Sequence, residues 1–360
     1  MRSKGSVLVA MSGGVDSSVS ACLLLEQGYE VIGSHLRLLH LPGGDVDHGC
    51  CGPRAREDAE AVARIAGFPF EVVDMSDVFE ETVLSDFFDE HLAGRTPNPC
   101  VRCNEHIKFG AFLERAERLG ADFVATGHYV RSWRERDGSW HLGKGLDPAK
   151  DQSYMLHTLG QRELARSLFP VGGMTKAETR RLAERFGLPV ADKPDSQEVC
   201  FVQGGDHAAF LEEYVPALVR EGDVVGVDGR VLGRHRGAFR FTIGQRRGLG
   251  VSTGERTYVV DVDPSANRVV VGPGELLDRS GLEADRVRWV AGRPPAEGPF
   301  GAEVRIRYRG EAVPSVLNTE GELLRVRFSR PQRGVAPGQS VVVYRGDEVL
   351  GGGRILRATA

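Results

Sequence analysis

The sequence predicts an α/β N-terminal domain, a doubly wound and mostly parallel sheet with helices on both faces, followed by an all-β tail. Three observations predict it. From Val7 to Thr126, short apolar runs alternate with helical periodicities, the pattern of parallel strands joined by helical crossovers. The first apolar run stops at a small glycine-bearing turn and passes straight into a helix, as strands of such sheets do. From about Gly222 the helical pattern gives way to short β runs broken by Gly and Pro.

The elements follow in order. Residues 7–10 form the first strand. Met11, Ser12, Gly13 and Gly14 make the turn, and a helix opens near Val15 with Val19, Cys22 and Leu23 inward. Residues 29–36 read as the second strand. Residues 54–66 read as an amphipathic helix with Ala55, Ala59, Val62, Ala63 and Ala66 on one side. A third strand over 70–73 precedes a long helical stretch over 76–93. Residues 96–104 form a loop broken by Pro97 and Pro99, a helix runs from about Glu105 to Leu119, and 122–126 is the fourth strand. Residues 133–142 suggest a hairpin around Asp137-Gly138. Short helical stretches reach Phe186, and a polar loop spans 192–201. In the tail, strands are expected at 223–227, 239–243, 257–262, 268–271, 304–308, 323–328 and 340–344. The expected division is 1–203, 204–280 and 281–360.

The totals are those of an ordinary globular protein. The 360 residues suit two or three domains. A net charge of −4 argues against a wholly basic nucleic-acid coat while leaving room for local basic patches. No signal-like segment opens the chain and no apolar run approaches a membrane span, so a cytoplasmic protein without membrane attachment is expected. In that reducing setting the six cysteines point to redox or metal chemistry before structural disulfides.

The strand–turn–helix junction aims several backbone N–H groups and a positive helix end at one spot, which suits phosphate. Ala10, Met11, Ser12, Gly13, Gly14, Val15, Asp16 and Ser17 line it. The loop lacks the lysine of a Walker A motif and lacks the dinucleotide G-x-G-x-x-G. Leu36 and Gly127, with His128, fall at the same carboxyl edge of the sheet, where ligands bind in this class of fold.

Cys100 and Cys103 form C-x-x-C in the proline-bracketed loop, with Arg102 beside them to favour a thiolate. A zinc half-site or incidental thiols are the other readings. Cys200 stands in a polar loop ahead of Phe201. Cys22 belongs to a helix's apolar face, and Cys50 and Cys51 carry no assignment. Arg305, Arg307 and Arg309 alternate with apolar residues, as do Arg325 and Arg327, which on strands puts each set on one face. Between Gly229 and Gly254 there are Arg230, Arg234, Arg236, Arg240, Arg246 and Arg247 but no acid. Together these suggest a surface for an RNA backbone.

The loop resembles the S-G-G-x-D-S loop of the ATP pyrophosphatases. The chain as a whole resembles the bacterial tRNA-specific 2-thiouridylases, nearly end to end. The likeness rests on Met11 to Ser18, Gly94-Arg95-Thr96-Pro97-Asn98-Pro99 with Cys103-Asn104, and Ala125-Thr126-Gly127-His128-Tyr129. It continues through Lys150 to Tyr154, Leu168 to Gly172, Cys200-Phe201, Gly244 to Gly250, and Pro337-Gly338-Gln339-Ser340. The resemblance implies an N-terminal domain like that of the adenine nucleotide alpha hydrolases, then two smaller, mainly β domains, the last a β-barrel. It implies ATP on residues 10–17 with adenine near Leu36 and Gly127, magnesium as the usual companion of ATP, and tRNA as substrate. Asp16 is the candidate magnesium ligand. The C2 oxygen of a flipped wobble uridine would be adenylated and then displaced by sulfur. Cys200 resembles the cysteine that receives persulfide from a donor protein, a cysteine desulfurase or a sulfur-relay carrier. Cys103 resembles its partner. Asn98, Pro99 and Cys100 match positions at the target base. Lys150, Asp151, Gln152, His128, Arg307, Tyr308 and Gln339 match positions that touch tRNA. One departure stands out: many members carry Asp where this chain has Cys100. Cys100, Cys103 and Cys200 therefore also resemble the cysteine triad of thiolases that hold a [4Fe–4S] cluster, and persulfide and cluster routes both stay open. The rival readings are an ATP pyrophosphatase that adenylates a small molecule, and a nucleotide- or RNA-binding protein without activity.

Overall fold

The computed structural model describes residues 3–39, 52–195, 199–202, 206–251 and 254–360. His48, Cys50 and Cys51 lie outside them.

The N-terminal part is the expected parallel sheet. Strands β1 (Ser6–Ala10), β2 (Glu30–Arg37), β3 (Phe70–Asp74) and β4 (Phe123–Ala125) carry helices α1 (Val15–Glu26) and α2 (Pro53–Ala66) in their crossovers. Val7, Leu8 and Val9 are wholly buried, because helices cover both faces of the central strand. The 76–92 helix is continuous, with a π-helical segment at Glu80–Leu84. The hairpin is β5 (Val130–Arg134) and β6 (Trp140–Lys144), and a short β7 (Ser167–Leu168) closes the sheet in the order β3-β2-β1-β4-β7.

Four strands follow in a small sheet: β8 (Gly222–Gly226), β9 (Val231–His235), β10 (Thr257–Asp263) and β11 (Arg268–Pro273), in the order β10-β11-β8-β9. The last part comprises β12 (Asp278–Trp289), β13 (Phe300–Arg305), β14 (Val313–Glu320), β15 (Leu323–Arg333), β16 (Ser340–Arg345) and β17 (Glu348–Thr359). Pairing runs β12-β15-β14-β13-β16-β17 and returns from β17 to β12, which closes a six-stranded antiparallel barrel. Closure leaves no open edge among these strands.

Several expectations are corrected. Helix replaces loop from Pro99 onward: the 99–118 helix begins as Pro99–Arg102, widens to a π-helical segment at Cys103–Ala111, and ends as Phe112–Arg118. Asn98 caps it by accepting from the Val101 N–H, and proline at the first helical position gives up a donor that would have had no partner there. The strand expected at 239–243 is instead a 3-10 turn, Ala238–Arg240. Strand β13 ends at Arg305, so Arg307, Tyr308 and Arg309 lie in a turn closed by the Gly310 N–H on the Arg307 carbonyl at 3.0 Å, not along one sheet face. Strands β9, β12, β14 and β17 and the helix His207–Tyr214 had no counterpart in the periodicity.

The hairpin's partner was also hidden. Leu142 and Gly143 of β6 pair with Val349 and Glu348 of β17, so the first hairpin extends the barrel sheet. A second join is electrostatic. Glu90, 2% exposed, holds Arg95 through two 2.7 Å hydrogen bonds and also pairs with Arg354 of β17. Arg354 in turn reaches Asp285 of β12 at 2.9 and 2.5 Å. Removing one partner from a buried ion cluster leaves charge without compensation and costs roughly 3 to 5 kcal/mol. Glu90→Ala is therefore expected to lower stability by about 3 kcal/mol, read as a fall in the thermal midpoint; an unchanged midpoint would show that the cluster contributes nothing to the join.

Candidate active site

The loop between β1 and α1 is built as the sequence requires. Gly13 has φ of +65°, and a Cβ there would stand 2.1 Å from the Ala55 carbonyl oxygen, so loop and α2 touch through backbone alone. Ser17 Oγ accepts from the Ser12 N–H at 3.2 Å and donates to the Gly14 carbonyl at 3.1 Å, which folds the turn on itself. Met11 and Val15 are buried beneath it, and Ser12 is exposed. Gly127 faces the start of α1: its Cβ would lie 2.5 Å from the Ser17 nitrogen. Leu36 is buried at the end of β2. The structure thus brings Ala10 to Ser17, Leu36 and Gly127 to one edge of the sheet.

Asp16 is held by a lysine and a phenol. Both of its oxygens accept from Lys176 Nζ, at 2.7 and 2.8 Å, and Oδ1 also accepts from the Tyr129 hydroxyl at 2.8 Å. Burial first, then the Asp16 charge, pushes the Tyr129 phenol far up, so it stays a donor. Lys193 Nζ reaches the Gly13 carbonyl at 2.9 Å and Asp58 at 2.5 Å. Lys176, Lys193 and Asp195 escaped the sequence reading. Their only signals were a Thr175–Glu178 capping box ahead of a short helix and a charged loop, neither of which points at the loop near Ser12.

A line of polar contacts runs from this loop to the barrel. Lys176 bridges Asp16 and Asp195, and Asp195 takes Lys150 at 2.6 Å. The next residue, Asp151, accepts from the N–H groups of Gly145 and Ser153 and from Arg305 at 3.1 Å. Tyr308 lies with its ring 6.1 Å from that of Tyr154, and burial first, then the Asp151 charge, raises its phenol. Gln152 exchanges hydrogen bonds with the Tyr129 backbone at 2.9 and 3.1 Å. Gln339 donates to the carbonyls of Thr96 and Pro97, and a Cβ on Gly338 would lie 2.8 Å from the Thr96 carbonyl oxygen. The barrel therefore grips the chain just before Asn98, whose amide also contacts Met155 Sδ at 3.8 Å.

Two residues expected at a tRNA surface turn out to be internal. His128 is buried, with Nδ1 2.8 Å from Thr126 Oγ1 and its ring near Phe109. Asp151 is 8% exposed. Arg307 is exposed. The acid-free stretch is partly neutralised from outside: Arg234 pairs with Glu221 and Asp223, and Arg240 with Glu212. Arg325 and Arg327 do alternate outward on β15.

Cys22, Cys100, Cys103 and Cys200 are all thiols. Cys22 is core, its thiol pushed up to about 11 by burial and then by Glu26. Cys103 is 8% exposed within the larger apolar cluster, and Cys200 packs on that cluster half-buried. Helical spacing puts Cys100 and Cys103 in the first turns of one helix. Among the described residues no three His, Cys, Asp or Glu side chains are arranged to hold a metal ion. The three cysteines therefore do not match a cluster site. Phe201 anchors the Cys200 segment, with its ring 5.6, 5.4 and 5.2 Å from Phe79, Phe87 and Phe210. No helix among the described residues is long and apolar enough to cross a membrane.

Comparison with known proteins matches three family models along the chain. They are a tRNA methyl transferase HUP domain over residues 5–204, a tRNA methyl transferase PRC-barrel domain over 208–273, and an aminomethyltransferase beta-barrel domain over 279–355. A tRNA-specific 2-thiouridylase of Geobacter metallireducens is 50% identical over 97% of this chain and 96% of its own length. Those of Geotalea uraniireducens and Symbiobacterium thermophilum are each 47% identical over 98% of this chain, covering 95% and 92% of their own lengths.

The packing of His91 on Phe87 makes this site sensitive to acid. Burial lowers His91 from 6.5 to about 4, and burial also holds His128 well below its ordinary value. Below pH 6.5 the unfolded chain binds protons that the folded chain refuses, so stability is full above that pH and falls as the pH drops towards about 4. Thermal midpoints measured from about pH 7 down to about pH 5 should decline, and less steeply in His91→Gln; parallel profiles would exclude His91 as a contributor.

Proposed function

The chain belongs to the family of tRNA-specific 2-thiouridylases, and from that premise we propose how its own residues carry out ATP-dependent 2-thiolation of a tRNA uridine. It is a tRNA sulfurtransferase. The observation that carries the reading is the run of ion pairs from Asp16 of the loop through Lys176 and Asp195 to Lys150, whose neighbour Asp151 pairs with Arg305 of the barrel. The same barrel holds the segment that leads into the cysteine helix, through Gln339 on Thr96 and Pro97.

ATP lies on Ala10 to Ser17, with adenine between Leu36 and Gly127. The uridine enters beside Asn98, Pro99 and Cys100, because its reacting atom must leave the base stack. Its C2 oxygen attacks the α-phosphorus, the α–β bond breaks, and pyrophosphate leaves. Backbone N–H groups at the start of α1 stabilise the charge that develops. Cys200 carries the incoming sulfur as a persulfide supplied by a donor protein. The Cys103 thiolate attacks the inner sulfur of that persulfide and forms a Cys103–Cys200 disulfide. The hydrosulfide released adds to C2 and AMP departs with the original oxygen. A dithiol reductant resets the pair. Exposed Arg307 and the outward Arg325 and Arg327 meet the tRNA backbone, while Lys150, Gln152 and Gln339 act by holding the loops that frame the base. Magnesium would accompany the nucleotide's phosphates, with Asp16 engaged by Lys176 and Tyr129. Cys100, where many members carry Asp, works beside Tyr308 rather than as an acid–base group.

The test uses ATP, tRNA and a persulfide donor, with nucleoside analysis for 2-thiouridine. Cys200→Ser and Cys103→Ser should each lower thiouridine formation by at least about 10³-fold, as loss of a nucleophile does. Adenylation, read as tRNA-dependent pyrophosphate release, should persist in both. Full thiolation in the Cys200 variant would refute its role.

A further inference from the structure

Lys176 opens the helix Lys176–Arg185, and its side chain is only 12% exposed. Its ammonium sits between two carboxylates from different parts of the chain: Asp16 on the loop, and Asp195 at 2.7 Å. Asp195 takes two further cations, Lys150 on Oδ2 at 2.6 Å and Arg180 on Oδ1 at 3.4 Å. Burial works to raise the Asp195 carboxyl, but the hydrogen bonds from Lys150 and Lys176 outweigh it and keep the group ionised below the usual range. Three positive side chains, Lys176, Lys150 and Arg180, thus meet three carboxylates, Asp16, Asp195 and Asp147, the last accepting from the Lys176 backbone N–H at 3.0 Å. Tyr129 does not alter that balance, because it stays a neutral donor.

Such a cluster is poised for exchange. A triphosphate carries more charge and more acceptor oxygens than one carboxylate, and ammonium groups bind it without a fixed geometry. Asp195 and a nucleotide's phosphates would call on the same donors within one side-chain length of Asp16.

We infer that Lys176, seconded by Lys150, is the cation that binds the β- and γ-phosphates of ATP at this loop, and that Asp195 competes with those phosphates for it. Nucleotide binding then frees Asp195. The inference rests on the ATP reading above and extends it to residues outside the loop.

The test is calorimetric titration of the full chain with the non-cleavable analogue α,β-methylene-ATP, without tRNA or sulfur donor. Lys176→Met should weaken binding roughly 10- to 100-fold, the range for a lost charge-assisted hydrogen bond. Lys176→Arg should restore most of it. Asp195→Asn, which removes the competing charge but keeps the side chain's shape, should bind more tightly than the unaltered chain. If the unaltered chain does not bind the analogue, the ATP reading itself fails. If it binds, but Lys176→Met binds equally well or Asp195→Asn does not bind more tightly, the exchange is overturned and the ATP reading stands. Should Lys176→Met not fold, the Asp195→Asn titration decides alone.

Discussion

One buried carboxylate organises the join between the two ends of this chain. Glu90 lies in the interior at the end of the 76–92 helix and accepts from Arg95, which precedes the proline loop, and from Arg354, on the last strand of the barrel. A carboxylate at that depth is tolerable only while both guanidinium groups stay in place. The requirement fixes the start of the 95–98 segment to the barrel. Gln339 and Gly338 then fix its end, through hydrogen bonds and backbone contact at Thr96 and Pro97. Asn98, Pro99, Cys100 and Cys103 inherit their position from these two grips.

The opposite side of the site is positioned by charge. Asp16, Lys176, Asp195 and Lys150 form a line of ion pairs between the loop and the start of the Asp151–Tyr154 segment. That segment is itself seated on the barrel: Asp151 on Arg305, Tyr154 on the Ser340 carbonyl at 2.7 Å. Adenylation and sulfur transfer call for groups from distant parts of the sequence to act on adjacent bonds. The barrel supplies the common frame, and the β6–β17 pairing adds to it the hairpin that follows the N-terminal strand β4.

Much of the fold could be read from periodicity. The β1–loop–α1 junction, the helix over Pro53–Ala66 and the Asp137-Gly138 hairpin are local objects, each specified by residues within a few positions. Errors arose where local signals compete. Pro97 and Pro99 read as loop, yet proline is also a favoured first helical residue, and Asn98 as cap decides for helix. Alternation at 304–308 reads as strand, but the strand ends at Arg305, which pairs with Asp151, and the chain turns at once, closed by Gly310 on the Arg307 carbonyl. Strand β17, with Gly351, Gly352 and Gly353, has weak strand propensity; close packing against Trp289, His157 and Asp285 is what requires those glycines.

By itself the sequence determined the strand–turn–helix junction at Met11 to Ser18, the positions of Cys100, Cys103 and Cys200 along the chain, and through its motifs the family. These depend on residue type at short spacing. The tertiary structure alone decided that Cys100 and Cys103 begin a helix, that His128 and Asp151 are internal supports, and that Lys176 and Asp195 stand beside Asp16. Lys176 lies 160 positions from Asp16, and no pattern of period two or 3.6 reaches so far. Burial and ion pairing between distant segments follow from how sheet and barrel close on one another.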